Sequence, residues 1–370
     1  TANLATPTIA DGSAYFQPTL YEGNGSTQSI DQDGNSTFQP DWVWIKNRDA
    51  TDQHALFDVV RGATELMGTN ATTAEATNDD TLTGFESDGF ALGDDVIVNT
   101  NNESYVAWQW KANGSGSSNE DGSINTTATT ANTTAGFSIS TYTGNATVGA
   151  TVGHGLGIAP KVVIVKSRSN VENWIFGHDS VGWNKAMYMS STGAPFTLDI
   201  YWNNTAPTSS VVTLHDHVVT NGSGATYVMY SFAEIPGYSS FGSYTGNGSA
   251  TDGTFVYTGF TPRYVLFKRT NAAESWPILD TARGSSFGAD AGTGGDNPTA
   301  ANDLNSVLVA STTAAEEDNA SGSRKASFNS NGFKVRTTNT AMNGSGSTYI
   351  YMAFAEHPFG GEDVAPATAR

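Results

Sequence analysis

Three Tyr-x-Gly-Asn segments recur along the chain: Tyr21-Glu22-Gly23-Asn24, Tyr142-Thr143-Gly144-Asn145 and Tyr244-Thr245-Gly246-Asn247. Each opens a passage that runs the same way. A Pro, an apolar run and a Lys follow, from Pro40 to Lys46 (PDWVWIK), Pro160 to Lys166 (PKVVIVK) and Pro262 to Lys268 (PRYVLFK). Each passage then reaches an Asn that leads six residues later to a Tyr: Asn99 to Tyr105, Asn221 to Tyr227 and Asn343 to Tyr349. A fixed long period means that one folding unit was duplicated. At roughly 100–120 residues the unit is domain-sized. It is too long for a solenoid repeat of roughly 20–50 residues, so three beads are expected rather than one superhelix.

The local pattern predicts strands. No long stretch places apolar residues at helical spacing. Alternating and β-branched runs dominate instead, as in Trp42-Val43-Trp44-Ile45, Val162-Val163-Ile164-Val165 and Tyr349-Ile350-Tyr351-Met352. Gly is abundant, at 40 residues, and Asn-Gly, Asp-Gly and Gly-Ser pairs punctuate the strands and read as hairpin turns. The expectation is an all-β chain of three tandem β-sandwich repeats, jelly-roll or lectin-like. Its rings at Trp42/Trp44 and Tyr349/Tyr351 would be buried between sheets or between neighbouring units.

The expected organisation is an N-terminal arm (1–13), repeat one (14–112), repeat two (136–237), repeat three (238–359) and a polar C-terminal tail (360–370). Residues 113–135 are rich in Gly, Ser, Asn and Thr and nearly devoid of large apolar side chains. They read as a linker or surface loop.

Charge narrows the partners. Lys plus Arg number 17 against 36 Asp plus Glu, a net charge of −19. That balance repels nucleic acid and anionic lipid, so neither nucleic acid nor membrane is an expected partner. No apolar run approaches the ~20 residues of a membrane helix, and the first residues show no signal-peptide pattern. With no cysteine, stability must come from a core or from association.

Several residue patterns are candidate sites. Lys46, Lys166 and Lys268 end the landmark strands; each either holds a ligand or is a strand-end cation meeting solvent or a local carboxylate. Asp58 with Arg61, and Asp280 with Arg283, either form a charge-assisted pair that locks a loop or contact a ligand's carboxylate or sugar hydroxyls. Repeat two has His178 in place of the Asp and no Arg. Tyr105, Tyr227 and Tyr349 mark the last strand of each copy. Asp31, Asp33 and Asn35 resemble the opening of an oxygen-ligand loop for calcium, and equally an ordinary turn. No other cofactor is expected. His215 and His217 could share a metal across one strand face. Glu234 and Glu356 close Phe-Ala-Glu motifs, but a glycosidase needs two carboxylates facing one bond, and no catalytic residue is assigned. His154 lies among glycines without a nucleophile signature nearby.

Nearly the whole chain resembles a family of repeat-containing structural proteins encoded by tailed bacteriophages, abundant among marine phages. The segments that carry the resemblance are FQPDWVWIK (38–46), GFESDGFALG (84–93), YVAWQWKA (105–112), TVGHGLGIAPK (151–161), WNNTAPTSS (202–210), FGSYTGNGS (241–249) and TYIYMAFAEHPF (348–359). The resemblance implies a non-enzymatic virion protein exposed on the particle, as a tail fibre or adhesin or as a capsid decoration protein. Its implied partners are other virion proteins and copies of itself, a trimer if it is a fibre. It implies no catalytic or binding residues. Two further readings stand beside it: an array of carbohydrate-binding modules for host-surface glycan, with exposed rings as stacking platforms, and a polysaccharide depolymerase.

Overall fold

Side chains on a strand alternate between its two faces, and on the landmark strands both faces are apolar. Such runs mark strands covered on both sides, and the architecture follows from that. The structure, a computed structural model, describes residues 7–284, 303–318 and 323–358. The C-terminal tail and the first six residues of the arm lie outside the described residues.

The first unit comprises β1 (Phe16–Glu22), β2 (Gln28–Asp31), β3 (Trp42–Asn47), β4 (Ala55–Asp58), β5 (Gly62–Met67), β6 (Ala76–Thr77), β7 (Leu82–Glu86), β8 (Gly89–Leu92) and β9 (Ser104–Trp110). A short helical turn, α1 (Val96–Asn99), precedes its last strand. The strands form a large sheet, β1-β9-β3-β4-β5-β6, and a smaller one, β2-β8-β7. The second unit comprises β10 (Ala128–Asn132), β11 (Phe137–Thr143), β12 (Ala150–Gly153), β13 (Val162–Ser167), β14 (Ile175–His178), β15 (Lys185–Tyr188), β16 (Phe196–Thr197), β17 (Val211–Leu214) and β18 (Thr226–Phe232), with α2 (Val218–Asn221) before the last. Its sheets are β10-β11-β18-β13-β14-β15-β16 and β12-β17.

The third unit comprises β19 (Ser239–Thr245), β20 (Phe255–Tyr257), β21 (Phe260–Arg269), β22 (Pro277–Asp280), β23 (Asp303–Leu304), β24 (Ser306–Val309), β25 (Glu317–Asp318), β26 (Ala326–Asn329), β27 (Gly332–Val335) and β28 (Thr348–Pro358). It forms β19-β28-β21-β22-β24-β25 and β20-β27-β26-β23. All the ladders are antiparallel, and in each unit the first and last strands pair through the two recurring tyrosines: Tyr21 with Tyr105, Tyr142 with Tyr227, Tyr244 with Tyr349. Strand makes up 42% of the chain and helix 4%, so the chain is all-β as expected.

Alternation divides the core. In the first unit, Val43, Ile45, Tyr105 and Ala107 face the smaller sheet and meet Ile30, Phe90 and Leu92 there. The other face of the same strands carries Trp42, Trp44, Trp108 and Trp110, which join a cluster drawn from all three units. In the second unit Val163, Val165 and Met229 face inward, while Val162, Ile164 and Tyr230 join the shared cluster. Across the units Trp42 stacks on Tyr230 with centroids 4.8 Å apart, Phe16 on Phe354 at 5.2 Å, and Phe176 meets Trp276 at 5.0 Å.

The expectation of three beads is therefore corrected. Removing one unit would expose a face of tryptophans to water, so the units are held by a common apolar core. The linker expectation for residues 113–135 is corrected too. Within it, β10 pairs with β11 along its length and adds a seventh strand to the second large sheet. Thr126, Thr130 and Ile124 are buried there. The reason is its threonines: β-branched side chains suit a strand, and their hydroxyls satisfy neighbours, as when Thr126 Oγ1 accepts the N–H of Asn119 at 2.7 Å.

Candidate functional site

The recurring polar residues converge where one unit meets the next. Lys46, Lys166 and Lys268 are buried, and their ammonium groups donate to backbone carbonyls rather than facing solvent. Lys46 Nζ donates to the carbonyls of Asn47 (2.6 Å) and Ala50 (3.0 Å). Lys166 Nζ reaches into the first unit to Thr72 O (3.3 Å), and Lys268 Nζ into the second to Thr192 O (2.9 Å). Burial lowers the pKa of each to about 8.

Asp58 and Arg61 pair inside the protein, and so do Asp280 and Arg283, the latter at 2.6 Å. Each Asp also receives a donor from the last strand of the following unit. Tyr230 Oη donates to Asp58 Oδ2 at 2.7 Å, and Trp108 Nε1 to Asp280 Oδ2 at 2.9 Å. Each Arg passes the charge onward: Arg61 to Glu75 (3.0 Å) and Glu75 to Arg168 of the second unit (2.7 Å); Arg283 to Glu316 (2.9 Å) and Glu316 to Arg48 of the first (2.7 Å). Burial disfavours the Arg61 charge, but the Asp58 carboxylate outweighs it and the pKa is raised. Burial likewise works against ionised Glu75, whose hydrogen bonds from Arg168 and Arg61 hold its pKa below the usual carboxylate value.

The second unit closes its junction differently. His178 Nδ1 accepts the N–H of Ser180 (3.1 Å), so Nε2 carries the proton and donates to Tyr351 O of the third unit (3.3 Å). Burial pushes this imidazole down to about 4. A narrow void at this junction, lined by Phe176, His178, Lys268, Trp276, Tyr351 and Met352, has no room for a water molecule.

Another position, eight residues after each landmark Lys, escaped the sequence reading. It holds His54, Trp174 and Trp276. All three donate a ring N–H across a junction: His54 Nε2 to Val309 O (3.0 Å), Trp174 Nε1 to Gly68 O (2.8 Å), Trp276 Nε1 to Ser191 O (2.9 Å). The signal that could have found it is the shared ring N–H at one offset. Glu75 and Glu316, and their partners two residues after the landmark Lys, Arg168 and Arg48, are not among the sequence-derived candidates either.

Tyr105, Tyr227 and Tyr349 hold the turn before the last strand. Their hydroxyls accept the N–H of Thr100 (2.8 Å), Gly222 (2.7 Å) and Gly344 (2.8 Å), and donate to the carbonyls of Val96, Val218 and Thr340. Asn99, Asn221 and Asn343 each accept the N–H of the Asn in the Tyr-x-Gly-Asn segment, at 2.9, 2.9 and 3.0 Å. The motif that recurs in sequence is thus one clamp built three times.

With this geometry in view, a family model for a domain of unknown function, DUF7483, matches residues 11–358, the span of all three units. The chain belongs to the DUF7483 family. No curated protein matches it, and no solved structure does.

The other candidate residues of this DUF7483 chain stand outside the Asp–Arg–Glu chains. Asp31 ends β2, and Asp31, Asp33 and Asn35 are all exposed. Among the described residues no group of three or more His, Cys, Asp or Glu side chains gathers in a metal-holding arrangement. His215 pairs with Asp216 at 2.5 Å, whereas His217 Nδ1 caps α2 by accepting the N–H of Val219 at 3.2 Å. Glu234 accepts the N–H of Phe241 (3.2 Å), and Glu356 pairs with Arg263 (3.2 Å). His154 is buried, its Nε2 on Thr208 O at 3.1 Å. Trp42, Trp44, Trp108 and Trp110 are all within 2% of full burial, so none of them offers a face to a sugar.

Proposed function

We propose that this chain is a non-enzymatic structural protein exposed on the virion surface of a tailed bacteriophage, as a tail fibre or adhesin or as a capsid decoration protein. In this reading each unit is a β-sandwich of jelly-roll or lectin-like build, copied in tandem. The observation that carries the proposal is where the recurring polar residues go. Lysines, aspartates, arginines and tyrosines that repeat from copy to copy engage carbonyls and carboxylates within the fold and across its junctions. A repeated residue that holds the protein together serves a particle component, which must persist outside the cell without disulfides.

The three units close on one another through cyclic contacts, so a single chain already has the threefold plan proposed for a fibre. Assembly with further copies then need not be trimeric. The carbohydrate-binding reading loses its tryptophan platforms to the shared core, and calcium at Asp31, Asp33 and Asn35 gains no support from a gathered ligand set. Immunogold labelling of purified particles tests the proposal and separates head from tail. Labelled particles are the expected result; particles free of the protein, made by cells that express it, would sink the proposal.

A further inference from the structure

The smaller sheet of each unit has an edge strand at the same place in the fold: β2, β12 and β20. Register aligns them, with Ile30 opposite Phe90, Val152 opposite Val212 and Val256 opposite Phe333. Ser29, Thr151 and Phe255 are therefore equivalent, as are Asp31, Gly153 and Tyr257. Ladder bonds alternate along an antiparallel pair. Val335 N–H donates to Thr254 O and Thr258 N–H to Asn331 O, so the backbone groups of Phe255 and Tyr257 point away from β27, toward the open edge.

The three edges are treated differently. In the first unit Ser29 and Asp31 leave it polar and charged, a common protection against unwanted pairing. In the second the chain covers the edge itself. Ile124 N–H donates to Thr151 O (2.9 Å), Thr151 N–H donates to Ser123 Oγ (2.9 Å), and the Ile124 side chain is buried in the unit's core. In the third unit Phe255 is 45% and Tyr257 56% exposed, and the outward backbone groups of Phe255 meet no partner among the described residues. A bare edge with two aromatic side chains on one face is a template for another strand.

We propose that the β20 edge is a docking site for an extended strand from a partner polypeptide, seated as Ser123 and Ile124 seat against β12. The partner's backbone pairs with Phe255 and Tyr257, and alternate apolar side chains lie beside the two rings. Lys334 and Asp252 neutralise each other at 2.6 Å next to Phe255, so this rim suits apolar side chains rather than charged ones. Gly153 leaves space that Asn119 fills against β12, whereas Tyr257 occupies the same place in β20. The incoming strand thus lies beside β20 and does not fold over its face. This proposal does not depend on the virion reading.

The test uses the full chain and a fluorescent peptide of about eight residues alternating Ile with Thr, with Lys at its ends. Saturable binding by anisotropy is expected. The double variant Phe255→Ser/Tyr257→Asp, which installs the residues of the first unit, should weaken it about tenfold or more. N-methylation of alternate peptide nitrogens should weaken it as much, because it removes main-chain donors and needs no protein variant. Absence of binding, or equal binding of the methylated peptide or by the variant, overturns the proposal. So does sedimentation showing a dimer that the variant dissolves, which would assign the edge to a second copy. Binding of a β-glucan oligosaccharide without peptide binding would assign it to sugar stacking and also overturn it.

Discussion

Two of the three junctions carry a buried chain of paired carboxylates and guanidiniums, and the third has a neutral imidazole in place of the carboxylate. At the first–second and third–first junctions an Asp, an Arg and a Glu of one unit meet an Arg and a ring donor of the next. At the second–third junction His178 replaces the Asp, no Arg follows it, Thr270 stands where Arg48 and Arg168 stand, and Met352 stands where Trp108 and Tyr230 stand. A buried carboxylate needs several donors to offset its desolvation. Asp58 has the Tyr230 hydroxyl, the Arg61 guanidinium and two backbone N–H groups. A thioether donates nothing, so a carboxylate opposite Met352 would lack that bond. A neutral imidazole fits, because it brings its own donor to Tyr351 O and its own acceptor for the turn. The difference between junctions is thus a coupled exchange of charge at several positions, with the backbone plan unchanged.

The strongest way to break this comparison is to remove the carboxylates. Asp58→Ala takes from buried Arg61 the nearer of its two carboxylates and from the Tyr230 hydroxyl its acceptor, and Asp280→Ala does the same to Arg283 and Trp108. Each should cost about 3–5 kcal/mol. His178→Ala removes neutral hydrogen bonds and should cost about 1–3 kcal/mol. Urea unfolding of the three variants checks the ranking. Equal costs would mean that the charges do not distinguish the junctions.

Acid separates the junctions next. His178 is neutral in the fold down to about pH 4, whereas an unfolded His takes its proton near pH 6.5. The unfolded state therefore binds more protons between these values, and stability falls as pH drops through that window. The contribution is whole above pH 6.5 and gone by about pH 4, with a ceiling on the order of 3 kcal/mol. His54, pushed down to about 3 by burial, continues the loss further into acid. His178→Gln keeps a donor and an acceptor without the titration. It should flatten the upper part of the slope in a pH series of melting curves; an unchanged slope would show that His178 is not held neutral.

How much of this was legible depends on whether an interaction is local to one copy. The tyrosine and asparagine landmarks stand at fixed offsets because each closes a turn within a unit, and a repeated local constraint leaves a repeated letter. The junctions leave weaker marks. One position holds His54 in one copy and Trp174 and Trp276 in the others, since what is required is a ring N–H rather than a particular residue. The bead expectation failed because unit length was weighed and strand composition was not. Val162-Val163-Ile164-Val165 is apolar at every position, which already implies two covered faces. Residues 113–135 looked like a linker because they lack large apolar residues, but an edge strand can be held by backbone pairing and threonine hydroxyls. Phe255 and Tyr257 gave no sign of exposure, because alternation around Val256 does not say which face meets water.

The tyrosine clamps sharpen the comparison from the other side, since they should not differ between units. Tyr105, Tyr227 and Tyr349 make the same two hydrogen bonds, and each stacks on its partner tyrosine with centroids 5.0, 5.1 and 5.0 Å apart. Tyr→Phe at each position keeps the ring and its stacking and removes the hydroxyl. A backbone N–H and a carbonyl then lose their partner at the turn, at a cost of about 1–2 kcal/mol per site. The three costs should agree within about 0.5 kcal/mol, the scatter of independent sites, because no neighbouring unit takes part in the clamp. A spread wider than that, following the order of the junctions, would mean that the units do not behave as one module with three different boundaries, and that the junction chemistry reaches into the turns.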